Sequence, residues 1–165
     1  MRDLGVWAHY VGDGSQPLHM SVHYNGWGDY PNPNGYTQSK ATHGDFEGPL
    51  VKAVAVNADV KKLVPAYKDC ACSIEARTVT YLTTTVSYVE PLYKLEKDGG
   101  LVAADPRAKA FVDERLAAGA TELRDMVVDA WRASAQGKIG YRPETSVADV
   151  EAGKADPWFD LYGKD

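Results

Sequence analysis

An all-α fold is expected for this chain of 165 residues on three grounds. Apolar side chains in its rear recur three and four residues apart, which is the helical period. Helix punctuation is clear, above all at Asp105-Pro106, an N-cap followed by proline at the first helical position. The β-branched stretch 78–86 favours a strand by propensity, yet it breaks strict alternation at Tyr81-Leu82.

In chain order, residues 4–12 fit one short helix, with Leu4, Trp7, Ala8 and Val11 at helical spacing. Gly12, Gly14 and Pro17 end it. Residues 23–38 are turn chemistry throughout, with two Asn-Gly pairs and Pro31-Asn32-Pro33. A loop of this length inside a compact domain is functional or disordered, and its four aromatic residues argue against disorder. A second helix is expected from Ser39 or Thr42 to Val56, kinked or broken at Gly48-Pro49. Asn57 or Asp59 caps another that reaches Val64, where Pro65 stops it. Val79, Leu82, Val86, Val89 and Tyr93 predict one long helix over 73–97, kinked near Pro91 and ended by Gly99-Gly100. A helix of roughly 30 residues starts at Pro106 and turns Phe111, Leu116, Ala120, Leu123, Val127 and Trp131 to one face. It ends before Gly137, and Thr145 or Ser146 caps a short helix over 147–152.

Hydrophobic residues are 44% of the chain and charged residues 25%, the mixture of one globular domain spanning 1–165. No apolar run approaches the ~20 residues of a bilayer span. A net charge of −5 leaves no basic footprint for tight duplex binding, although a bound metal ion brings its own positive charge. Cys70 and Cys72 are too few for a disulfide framework, and Cys-x-Cys is poor bridge geometry, so they read as two ordinary thiols. The opening residues lack a signal-peptide core and cleavage site. The protein is therefore expected to be cytosolic, or the chain to lack its natural beginning.

Ligand chemistry is concentrated at the front. All four histidines (His9, His19, His23, His43) lie in the first 43 residues. The first 50 residues hold 8 of the 15 glycines but only 7 of the 41 charged residues. Residues 1–50 thus read as a metal-ligand region and 51–165 as helical support, with charged pairs such as Lys109–Asp113 on a solvated helix face.

His9-x3-Asp13 and His43-x3-Glu47 each place an imidazole and a carboxylate on one helix face. Between them, His19 follows a Gly/Pro-bounded turn. One such pair is commonplace. Two of them plus His19, in a chain with four histidines, point to a metal site, and two histidines with a glutamate and an open position are a catalytic zinc pattern. His23 reads as a hydrogen-bonding histidine rather than a ligand.

The run from His9 to His19 (HYVGDGSQPLH) resembles the H-x3-D-x2-Q-P-L/M-H signature of the zinc-dependent phospholipase C and S1/P1 nuclease superfamily. The pair His43 and Glu47 falls where that family has its next H-x3-[DE]. The resemblance covers about the first 50 residues and implies the family's all-α fold, up to three zinc ions and phosphodiester hydrolysis by zinc-activated water. By that resemblance His9 is a ligand of the first zinc, and Asp13 is shared between the first and third and takes part in catalysis. His19, His43 and Glu47 form the full protein ligand set of the other. The family also has an N-terminal Trp, a His, an Asp and another His upstream, whereas only residues 1–8 precede His9 here. The expectation is a chain equivalent to the family's C-terminal portion, with one complete zinc site and a missing N-terminal segment or partner chain.

Tyr24, Trp27, Tyr30 and Tyr36 lie between His19 and His43, where aromatic faces can stack unpaired bases or box a choline ammonium. Packing the loop onto the helices accounts for two or more of them. Glu47 is similar to the phospholipase branch, and the long aromatic interval is similar to the nuclease branch. A zinc-dependent phosphodiesterase cleaving single-stranded nucleic acid is expected, with a phospholipase C-type enzyme acting on lipid head groups as the alternative. A third reading is a non-catalytic, zinc-stabilised helical protein, although a structural site is closed by four protein ligands and Asp45 faces another side of the helix. Family members are exported, which implies a secreted or periplasmic location.

Overall fold

The computed structural model describes residues 2–139, 144–156 and 158. Among them the chain is mostly helical, and the strands are a two-residue antiparallel pair, β1 (Lys138–Ile139) with β2 (Thr145–Ser146). The all-α expectation therefore holds. The chain groups into two compact units, Met1–Arg124 and Asp125–Asp165. No helix of the described residues is long and apolar enough to cross a membrane.

The first unit begins with α1 (Arg2–Asp13), which closes into a 3-10 turn at Pro17–Met20. A long loop then leads to α2 (Thr42–Asp45), a π-helical turn at Phe46–Leu50 and α3 (Val51–Val54). The kink expected at Gly48-Pro49 takes the form of this π turn. Pro49 offers no N–H, and the Val51 N–H reaches back five residues to Phe46 O. After α4 (Asn57–Leu63) come α5 (Ile74–Val86), α6 (Val89–Lys97) and α7 (Pro106–Ser134). Asp105 caps α7, its Oδ1 accepting from the Arg107 N–H at 2.8 Å.

Four sequence expectations are corrected. The single helix over 73–97 is two helices, broken at Ser87-Tyr88 rather than kinked near Pro91. A proline ring excludes the carbonyl four residues earlier, which here belongs to Ser87, so the ladder parts there and Pro91 sits harmlessly in the first turn of α6. On α7, Leu116 is 37% and Trp131 75% exposed, while Ala108, Val112, Arg115, Ala117 and Glu122 are buried. At Gly119 a Cβ would lie 2.9 Å from Ser15 Oγ, so the inward face runs along small residues rather than the bulkier stripe. Asp113 is likewise buried, not solvated; Lys109 reaches it at 2.7 Å and Asp59 at 3.1 Å. Finally, Cys70 and Cys72 form a disulfide instead of two thiols. Left-handed Ala71 (φ 49°) holds their Cα atoms 5.2 Å apart, within disulfide range.

The core of this unit gathers Leu18, Trp27, Tyr36, Phe46, Leu50, Val54, Val89, Leu92, Tyr93, Leu95, Ala108 and Val112. It therefore pins the 3-10 turn, the long loop and the π turn against α6 and α7. The second unit contains the end of α7, the β1–β2 pair and α8 (Val147–Glu151), which Ser146 caps through the Asp149 N–H.

Candidate metal centre

Three elements deliver one cluster. The 3-10 turn carries His19, α2 carries His43, and the π turn carries Glu47. Helical spacing puts His43 Nε2 3.2 Å from Glu47 Oε2. His19 Nε2 lies 3.0 Å from Glu47 Oε1 and 3.1 Å from His43 Nε2. Three donors around a tetrahedral zinc with bonds of about 2.0–2.1 Å stand about 3.3 Å apart. The cluster therefore has the size and donor chemistry of a zinc site. Among the described residues it is the one group of three or more His, Cys, Asp or Glu side chains converging in this way.

Neighbouring groups hold His43 and Glu47 in place. The Tyr24 carbonyl can only accept, so His43 donates Nδ1–H to it at 2.9 Å and turns the lone pair of Nε2 toward the cluster. Gln16 donates Nε2–H to Glu47 Oε1 at 3.0 Å. Partial burial pushes the Glu47 carboxyl upward, but the Gln16 hydrogen bond and then the His43 and His19 charges outweigh it and hold the group below its ordinary value.

Asp13 stands at the edge of the cluster, with Oδ1 3.7 Å from His19 Nδ1 and Oδ2 3.3 Å from His9 Nε2. His9 is thus joined to Asp13 but lies outside the three-residue group, its side chain 72% exposed. His23 is stacked on Trp27 at 3.8 Å and bonds the Trp27 carbonyl through Nδ1 at 2.7 Å, away from the cluster.

The aromatic loop divides in two. Trp27 and Tyr36 are buried, with centroids 4.7 Å apart, and Tyr93 meets both. Tyr24 and Tyr30 are exposed. Gly26 makes the inner turn at φ +78°, where a Cβ would strike the Gln38 carbonyl carbon at 2.8 Å. The loop is thereby fixed by packing and backbone closure, and the Tyr24 carbonyl reaches His43.

Two clefts flank the cluster. One, of about 490 Å³, is lined by Tyr10, Asp13, Leu18, His19, Tyr24 and His43. The other, of about 380 Å³, is mostly apolar, walled by Phe46, Val51, Val112, Leu116 and Leu123, with Asp13, Gln16 and Glu47 at its polar edge. No family model, curated protein or solved structure matches the chain.

Neither the contact of Gln16 with Glu47 nor the place of Tyr10 beside the cluster is expected from the sequence. Tyr10 carries a signal in hindsight, because it precedes Asp13 by three residues on α1 and so shares its side of the helix. The contact of Gln16 with Glu47 spans 31 residues and has no local signature.

Proposed function

We propose that this chain is a zinc-dependent phosphodiester hydrolase of the S1/P1 nuclease type, acting on single-stranded nucleic acid. The observation that carries the reading is the convergence of His19 Nε2, His43 Nε2 and the Glu47 carboxylate within 3.0–3.2 Å of one another. These three would hold zinc, leaving a further position for water or a phosphate oxygen. Zinc supplies a lowered pKa for water and neutralises phosphate charge.

The remaining work falls to the chain's own side chains. Asp13 opens onto both clefts and lies 3.7 Å from His19 Nδ1, where it is placed to accept a proton from incoming water. Tyr10 and Tyr24, 70% and 59% exposed, flank the ring nitrogens and offer faces on which unpaired bases stack. Trp27 and Tyr36 are proposed as supports for that surface, not as contacts, because both are buried. His9 is proposed as a ligand, paired with Asp13, of a second zinc. The fold is read as the family's helical fold. The Cys70–Cys72 disulfide supports an exported, oxidising location.

A phospholipase C-type activity is favoured by one observation, the apolar cleft beside Glu47, which is shaped for an acyl-bearing or otherwise greasy leaving group. The test is hydrolysis of bis-p-nitrophenyl phosphate with added Zn²⁺, followed by parallel assays on single-stranded DNA and phosphatidylcholine. Chelator-sensitive cleavage of the first substrate and of DNA is expected. Preference for phosphatidylcholine would reassign the substrate, and no turnover with excess zinc would leave only a structural, zinc-stabilised centre.

A further inference from the structure

The geometry points to Gln16 as a positioning residue for the metal centre, one amide that orients Glu47 and the turn bearing His19 at the same time. This rests on the zinc reading of the cluster.

Gln16 stands where α1 gives way to the 3-10 turn Pro17–Met20, in extended backbone (φ −87°, ψ 114°). Its Oε1 accepts the Leu18 N–H at 2.6 Å and so caps the turn that carries His19. Pro17, at the first position of that turn, presets its backbone. Because a backbone N–H can only donate, Oε1 must face Leu18, and the amide cannot be flipped. The NH2 end is therefore directed at Glu47 Oε1, 3.0 Å away, with His43 Nε2 3.3 Å from the same nitrogen.

The consequence is a rigid link across 31 residues. Glu47 left to itself would pair with His43, its neighbour one turn earlier on the same helix. The Gln16 bond adds a hold on Oε1, which faces His19 while Oε2 keeps its pairing with His43. A hydrogen bond to a ligating carboxylate fixes its angle and spares the reorganisation that binding would otherwise demand. Only a primary amide of this length meets both demands. A glutamate has no donor, a lysine has no acceptor, and an asparagine can cap the turn but is one methylene too short to reach Glu47.

The test compares Zn²⁺ and Co²⁺ affinity, by chelator competition, in the wild-type protein, Gln16→Asn, Gln16→Met and Ser15→Ala. Gln16→Asn keeps the cap and loses the carboxylate contact. It should leave the far-ultraviolet circular dichroism and unfolding midpoint of the metal-free protein in place, while weakening both metals by about 10–100-fold and changing the visible band of bound Co²⁺. Gln16→Met should weaken binding at least as much. Ser15→Ala, which removes the bond from the adjacent Ser15 Oγ to Gly12 O (2.8 Å) and its contact with the Tyr81 hydroxyl but leaves the Gln16 amide in place, should bind as wild type does. Wild-type affinity in Gln16→Asn, or an equal loss in Ser15→Ala, overturns the role of Gln16 and leaves the metal centre standing. A wild-type protein that takes up neither ion overturns both.

Discussion

Tyr81 shows how a residue remote from the chemistry holds it in place. Its hydroxyl donates to the Val11 carbonyl at 2.8 Å, tying α5 to the end of α1 just before Asp13 and Gln16. Burial, reinforced by the Glu122 charge and opposed by Ser15 and Arg115, pushes this phenol from 10.0 up to about 12. In the unfolded chain the hydroxyl ionises near pH 10, whereas in the folded chain it stays neutral to about pH 12. Its contribution to stability is therefore complete below pH 10 and is lost as pH climbs toward 12. Tyr93, also pushed up to about 12, adds to the same slope. Tyr81→Phe should lower stability by about 1 kcal/mol at neutral pH through the lost hydrogen bond, and it should flatten the fall between pH 10 and 12 in denaturant titrations. An unchanged alkaline slope would contradict the burial of this hydroxyl. At this scale the histidines and carboxylates were legible, because His43 and Glu47 owe their meeting to a four-residue helical repeat. The Tyr81–Val11 and Gln16–Glu47 contacts were not, since each joins elements distant in the chain.

Between elements, fit is decided by absent side chains and by aromatic anchors. Gly14 is the contact point of the α1 terminus on α5, where a Cβ would lie 2.7 Å from Tyr81 Cε1 and 3.0 Å from Leu82 Cδ2. Gly14→Ala should therefore cost about 1–3 kcal/mol by overpacking, measured by thermal or denaturant unfolding. The loop offers a paired test of support against contact. Trp27→Ala removes a buried anchor and should destabilise the fold by about 3–5 kcal/mol. Tyr24→Ala removes an exposed ring and should change stability by less than about 0.5 kcal/mol, yet lower the cleavage of single-stranded DNA. Equal destabilisation by the two would contradict the division of the loop into buried and exposed rings. Helix existence was readable from apolar period, capping and proline, as the ends of α1 and the start of α7 show. The α5–α6 break was misplaced because the proline acts on a carbonyl four residues before it. The buried face of α7 was missed for a different reason: its buried positions include the small residues Ala108, Ala117 and Gly119, whose burial hydrophobic size does not signal.

For the molecule as a whole, the unit Met1–Arg124 holds the candidate site together with residues 51–124 of the helical rear. Its apolar core fastens the 3-10 turn, loop and π turn that deliver His19, Tyr24 and Glu47, and Lys109, Asp59 and Asp113 form a charged network beside it. Acidic net charge does not oppose a phosphate substrate here, because the proposed ion supplies the attraction locally. The central claim is that His19, His43 and Glu47 hold zinc, and equilibrium titration of metal-free protein with Zn²⁺ tests it most directly. Stoichiometric uptake by the wild-type chain and its loss in His43→Ala are expected. No uptake by the wild type, or undiminished uptake by His43→Ala, would contradict it.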